Sequence, residues 1–461
     1  MADTTLLLKN ADLLCTMEPT IGAPYGAEIT DAGLFACNGV IDQVGKTADL
    51  PKTADQVIDL RGHVVIPGMV NTHHHMFQNL TRAVPAAQNA PLFGWLQTLY
   101  PIWCNIGPNH IYWSTALALA ELAMTGCTTS SDHLYLYPNG ARLDDSLAAA
   151  ADIGVRFHGT RGSMSIGESK GGLPPDRLTE AEPSILADCQ RLIESHHNAE
   201  RFAMQRIALA PCSPFSVSMD LMRETARMAR SYGVGLHTHL AENVEDIDYS
   251  LARFGMRPGE YIEAVEWTGH DVWHAHCVQL DKSEIDLFAR TGTGIAHCPC
   301  SNMRLASGIA PVREMLDSGV KIGLGVDGSA SNDSGHMLNE VRQTMLLQRV
   351  IKGSGAMTAR EALAVATRGG ASVLGRDDIG ILAKGYAADI AAFDTSGIDF
   401  AGSQWDILAG LLFCGSGKAS YTIINGKVVV ESGQLATMDM PKLLANHRAM
   451  TLDLMQKADN S

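Results

Sequence analysis

The chain has 461 residues, 46% hydrophobic and 18% charged, which is enough apolar material for a large core and rules out an expanded polar polymer. Its formal net charge of −15, with no run of Lys and Arg, argues against a nucleic-acid partner, which needs cations gathered on one face. The acidic surface is expected to serve solubility.

At the N-terminus, Met-Ala-Asp-Thr-Thr-Leu-Leu-Leu-Lys9 has neither a basic leader nor a long apolar core, so no signal peptide is expected. Residues up to about 65, including Gly39-Val-Ile-Asp-Gln-Val-Gly45, read as short strands with turn residues between them. Eight apolar, β-branched runs follow. The first, His63-Val-Val-Ile-Pro-Gly-Met-Val-Asn71, leads into His73-His74-His75, and the second, from Gly126, leads into Asp132-His133. Gly154-Val-Arg-Phe-His158 and Arg206-Ile-Ala-Leu-Ala-Pro-Cys-Ser213 are the third and fourth. Gly233 to His239, Asp271 to His276, Gly292 to His297 and Lys321 to Asp327 complete the set. The intervals read as helix at 118–123, 220–230 and 282–290. The most apolar helical window, Ile111 to Cys127, is broken by Glu121 and is too short for a bilayer, so no membrane partner is expected.

Strands alternating with helices predict an α/β fold, a (β/α)8 TIM barrel over 66–379 with its active site at the strand C-termini. Ten of the 17 histidines (73, 74, 75, 133, 158, 237, 239, 274, 276 and 297) fall at those ends. Beyond the barrel, Asn425-Gly426 signals a hairpin. Residues 1–65 and 380–435 are expected to form one small β-sandwich-like domain, and a helix, roughly Pro441 to Lys457 within 436–461, to end the chain. Ten scattered cysteines, with Cys298-Pro-Cys300 as the one close pair, match neither a disulfide framework nor a zinc ribbon. They read as buried thiols in a reducing cytoplasm.

His73 and His75 are two apart at a strand end, where side chains at i and i+2 share a side. Two imidazoles can then reach one divalent ion of the Zn2+ or Fe2+ type. The pattern recurs at His237/His239 and His274/His276, and another strand ends at Asp327. Three such pairs plus a carboxylate are hard to accommodate as packing, because buried polar groups need partners.

Pro67-Gly-Met-Val-Asn-Thr-His-His-His75, His239-Leu-Ala-Glu242, Ala275-His276-Cys277, His297-Cys-Pro-Cys-Ser-Asn302 and Gly325-Val-Asp327-Gly resemble the amidohydrolase superfamily, and most closely its mononuclear deaminase and triazine-hydrolase branch. The resemblance implies that His73, His75, His239 and Asp327 ligate one ion per chain, zinc expected and Fe2+ the alternative. It makes Glu242 the proton shuttle, Asp327 a proton acceptor and His276 the group that polarises substrate or holds water. His74 and His237 are then packing or supporting residues, and the role of His274 stays open. The carboxylated lysine of binuclear members has no counterpart in Ala210-Pro-Cys-Ser-Pro-Phe215.

The aromatic, amide-rich segment Met76 to Trp103 reads as a functional loop for a flat polar heterocycle. Within it, Gln78 matches a base-reading glutamine of guanine deaminases and Trp95 a substrate-bordering tryptophan. Arg161, beyond the third strand, reads either as a contact to a substrate oxygen or as half of an ion pair. The Asn71–Gln78, Gln97–Trp103 and His297–Gly308 stretches resemble 8-oxoguanine deaminases, which implies hydrolysis to urate and ammonia. Hydroxytriazine aminohydrolase and guanine deaminase are the alternatives of the same chemistry; an amide-bond hydrolase and a non-catalytic scaffold are those of other classes. The expected partner is a small aminated heterocycle, and a homo-oligomer is left open because no interface is legible.

Overall fold

A computed structural model describes residues 4–415 and 417–459. Eight parallel strands close into a barrel: β1 (Met69–Asn71), β2 (Cys127–Leu134), β3 (Arg156–Ser163), β4 (Gln205–Pro211), β5 (Gly235–Leu240), β6 (Val272–His276), β7 (Gly294–His297) and β8 (Lys321–Leu324). The ring shuts where Leu324 pairs with Asn71. Every residue of β2 and β3 is buried, as parallel strands covered on both faces require. Helices pack outside. Met219–Tyr232 shows why they form: Ser218 caps it by accepting the Leu221 N–H, Gly233 ends it at φ 68°, and Leu221, Met222, Ala226 and Ala229 make its buried stripe.

The remaining strands form one nine-stranded sheet drawn from both chain ends. Alternation divides its faces. Leu14, Val65, Ile390, Ala392 and Ile423 enclose a core of their own, whereas Cys15, Val64, Ile66, Ala391 and Phe393 join the barrel core. The barrel and the sheet from both ends are thus as expected, with one difference. His63–Asn71, read as a single strand, is two: His63–Pro67 pairs with Ile390–Asp394 in the outer sheet, and Met69–Asn71 begins the barrel. Gly68 makes the crossing, and a Cβ there would lie 2.1 Å from the Thr128 side chain, so the two layers approach closely only over glycine.

Helix Met440–Asp459 lies across the helices Leu92–Trp103 and Pro108–Met124. His447 Nε2 meets Asn79 Oδ1 at 2.8 Å, so this helix braces the turn Met76–Thr81 that follows β1. None of the ten cysteines is in a disulfide, and Cys414 alone is exposed. Among the described residues no helix is long and apolar enough to cross a membrane.

Candidate metal centre and active site

His73 and His75 lie just beyond β1, His239 near the end of β5 and Asp327 beyond β8. All four residues are at the C-terminal mouth of the barrel. His75 Nε2 is 3.0 Å from His239 Nε2, and Asp327 Oδ1 is 3.2 Å from His73 Nε2 and 3.3 Å from His75 Nε2. His73 and His239 also offer donors within 4.8 Å of each other and of the neighbouring members. A tetrahedral ion with bonds of about 2.0–2.1 Å sets its donors about 3.3 Å apart, so the spacing fits.

Tautomers fit too. His75 Nδ1 donates to the His133 carbonyl at 2.8 Å, and His239 Nδ1 to the Cys212 carbonyl at 2.5 Å. His73 Nδ1 lies 2.8 Å from His237 Nε2, while His237 Nδ1 donates to the Trp273 carbonyl at 2.9 Å. With the proton of each ligand held on Nδ1, all three Nε2 atoms present a lone pair inward. His73 Nε2 is buried and has no hydrogen-bond partner of its own, which is the state of a ligand atom and a costly one for a packing residue. Burial lowers the pKa of all three, that of His239 to about 3, so they are neutral ligands at pH 7. Asp327 stays ionised. Burial opposes this, but the surrounding imidazoles, with His73 3.2 Å away foremost, hold its carboxyl well below the usual range.

Asp327 Oδ2 accepts Ser301 Oγ–H at 2.5 Å and Ser331 Oγ–H at 3.0 Å, leaving Oδ1 to face the histidines. Glu242 follows Ala241, which takes φ 49°, at the start of helix Val244–Phe254. Its N–H donates to Asp246 Oδ2 at 2.8 Å. Burial pushes the Glu242 carboxyl up to about 8, with His276 opposing, so it carries a proton at neutral pH. His276 Nε2 stands 3.5 Å from Glu242 Oε2 and 4.0 Å from Asp327 Oδ2, and Asn302 Oδ1 accepts from its Nδ1 at 2.9 Å.

The paired-histidine argument needs one correction. In β6 it is Trp273 that points inward, stacking on His237 at 4.7 Å, so His274 points outward to the Trp267 carbonyl and the Phe288 ring. Strict alternation would take His276 outward as well. Instead His276 adopts φ 71°, a left-handed turn that swings its ring into the site. Asp327, at φ 61°, leaves its strand in the same way. Such backbones cost on the order of 1–3 kcal/mol each and gather at functional sites.

Gln78 and Trp95 line the pocket beside these residues, with Tyr135, Phe215 and Leu305 among the other walls. The cavity between them is small, ≈ 40 Å³. Gln78 Nε2 donates to Tyr135 Oη at 3.3 Å, and its Oε1 is buried without a partner. Gly328 makes room for it, since a Cβ there would sit 1.8 Å from Gln78 Oε1. The Trp95 indole N–H donates to the Ala330 carbonyl at 3.0 Å, so this ring presents only its apolar surface.

Arg161 is not at the pocket. It is buried in β3 with its guanidinium on Glu180 and Asp188 at 2.8–2.9 Å and 4.1 Å above the Tyr137 ring. Of its two expected readings, the ion pair is the one observed. His74 is buried away from hydrogen-bond partners, and His133 stacks on His239 at 4.9 Å with its Nε2 on the Ala210 carbonyl. Ser301, Asn302, Ser331 and Tyr135 carried no expected role. Ser301 and Asn302 stand inside the His297–Asn302 motif, which was the one available signal.

The amidohydrolase family profile matches residues 64–429, and the chain belongs to that family. It is 45% identical to the 8-oxoguanine deaminase of Pseudomonas aeruginosa over 92% of this chain and 96% of the relative. It is 37% identical to the hydroxydechloroatrazine ethylaminohydrolase of a Pseudomonas species over 92% and 91%. Among solved structures, the zinc complex of atrazine chlorohydrolase from Arthrobacter aurescens superposes with a TM-score of 0.91 at 34% identity, covering 97% of this chain and all of the other.

Proposed function

We propose that the chain is a zinc-dependent hydrolytic deaminase that converts 8-oxoguanine and water into urate and ammonia. The observation that carries the chemistry is the tautomer-locked set His73, His75, His239 and Asp327 with a buried, protonated Glu242 alongside. The substrate rests on the similarity to a protein named for that reaction. The four residues would hold one zinc ion, whose bound water ionises near pH 7 instead of about 15.7.

Asp327 takes the proton lost by water as its oxygen bonds to the amino-bearing ring carbon. Glu242 gives its proton to the adjacent ring nitrogen, so no charge builds there, and His276 holds the oxygen that becomes the new carbonyl. The C–N bond then breaks, the amine leaves with the proton gathered by Asp327, and the proton still on the hydroxyl oxygen passes to Glu242, which restores that carboxyl as the new carbonyl forms. Gln78, with its unpaired Oε1, accepts a ring N–H, while Trp95 and Phe215 border the flat face.

Ammonia release from 8-oxoguanine, guanine and amino-hydroxytriazines tests this reading. Turnover of 8-oxoguanine well above the others is expected, and preference for a triazine would move the assignment to the chemistry named for the second relative. Glu242→Gln should retain zinc and lose about 10²–10⁴-fold in kcat, the usual worth of a positioned proton donor; normal turnover by that variant would end its assignment as proton donor.

A further inference from the structure

At the other end of the barrel from Glu242 is a second cavity, bounded by the starts of β3 to β6 and by the closing segment 373–375. Its volume is ≈ 480 Å³, within the range of small-molecule sites. Trp273 forms its floor, and the same ring stacks on His237 above.

Its polar wall holds two arginines, and one of them, Arg230, is matched there by Asp271 at 3.0 Å. Two neighbouring arginines each grip a carboxylate: Arg156 holds Asp389 at 3.0 Å, and Arg376 holds Asp378 at 2.7–2.8 Å. Arg206, which lines the cavity, has none. Among the described residues no carboxylate is paired with it; its terminal nitrogens reach only the Gly375 and Ala199 carbonyls, at 3.3 Å each, and its Nε is buried with no acceptor. Burial and the charge of Arg376 depress its pKa to about 10. His158, His197 and His270 line the same cavity, and burial, with the adjoining guanidinium charges, lowers the pKa of His158 and His197. A partly buried cation without a counter-ion is costly, and this one faces open space. Val234, Trp273 and Leu374 supply apolar lining to the same cavity.

We propose that this cavity binds a small organic phosphate, its head group on Arg206 and the surrounding imidazoles and its apolar body against Trp273 and Leu374. Three acceptor oxygens with a double negative charge suit one guanidinium ringed by N–H donors better than a lone carboxylate does. The site is distinct from the zinc centre, since the Trp273–His237 layer lies between them.

Calorimetric titration of the full-length protein with phenyl phosphate tests the proposal, with inorganic phosphate as the comparison. Saturable binding is expected, several-fold tighter than for inorganic phosphate, weakened at least tenfold in Arg206→Gln and abolished by Leu374→Trp, which fills the cavity. Ammonia release should be unchanged in Arg206→Gln. Absence of saturable binding, equal binding by Arg206→Gln, or phenyl phosphate competing with the heterocycle for the upper pocket would each overturn the assignment. Affinity for phenyl phosphate no better than for inorganic phosphate would overturn the apolar half of the site.

Discussion

Replacing His237 by leucine removes no donor atom of the metal centre, yet should weaken zinc binding. In the intact protein the Trp273 carbonyl accepts from His237 Nδ1 at 2.9 Å, and His237 Nε2 accepts from His73 Nδ1 at 2.8 Å. That relay keeps a lone pair on His73 Nε2. Without the acceptor, His73 either buries an unpaired N–H, at about 1–3 kcal/mol, or moves its proton to Nε2. There Asp327 Oδ1, 3.2 Å away, accepts it, and an incoming ion must displace that proton. Losses of about 10–100-fold in affinity are usual for such supporting residues, which is about 1.4–2.8 kcal/mol. Competition between the metal-free variant and a chromophoric chelator measures this directly. His237→Gln should recover part of the loss, because an amide can accept from His73 and donate to the Trp273 carbonyl. Zinc held by His237→Leu as tightly as by the parent, or by the glutamine variant no better than by the leucine one, would refute the reasoning.

Gly328→Ala drives Gln78 from its seat through the 1.8 Å approach; KM for the heterocycle should rise about tenfold or more, as for one lost buried hydrogen bond, with zinc content unchanged. Burial raises the Asp132 carboxyl to about 7 from 3.8, even though it accepts the Met76 N–H. The folded state therefore binds this proton more tightly than the unfolded chain, and the associated stability, full below about pH 4, is lost as pH rises through 7. The loss amounts to about 4 kcal/mol at most. Asp132→Asn, which stays neutral, should gain in thermal stability relative to the parent between pH 5 and pH 8; a pH-independent difference in melting temperature would contradict this. Removing the divalent ion with a chelator should lower the melting temperature, and restoring it to a hundred times its Kd should return about 2.7 kcal/mol.

Much of the site was legible because its chemistry sits where strand patterns stop. Histidines at 73, 75 and 239 and the carboxylate at 327 end apolar runs of a repeating unit, and a barrel brings all such ends to one rim. Gln78 and Trp95 were visible as amide and ring within a long loop after the first strand. Arg161 shows the limit of that logic. It lies within a strand that runs to the same rim, and whether its side chain meets the pocket or Glu180 and Asp188 depends on which face of β3 carries it. Ser301 and Asn302 lay in a motif whose residues could be read but whose targets, Asp327 and His276, are 26 positions away in each case.

By itself the amino-acid order determined the alternation of strands and helices, the outer sheet built from both ends, and a family of side chains able to hold one divalent ion. Only the folded chain decided which histidine serves which purpose. His237 supports His73 across 164 residues, and His276 enters the site, where alternation alone would turn it out beside His274, because the backbone turns left-handed at His276 and Cys277. Local pattern records the period of a strand. The distances between strands and the turn a residue takes on leaving one are set by the closure of the barrel as a whole.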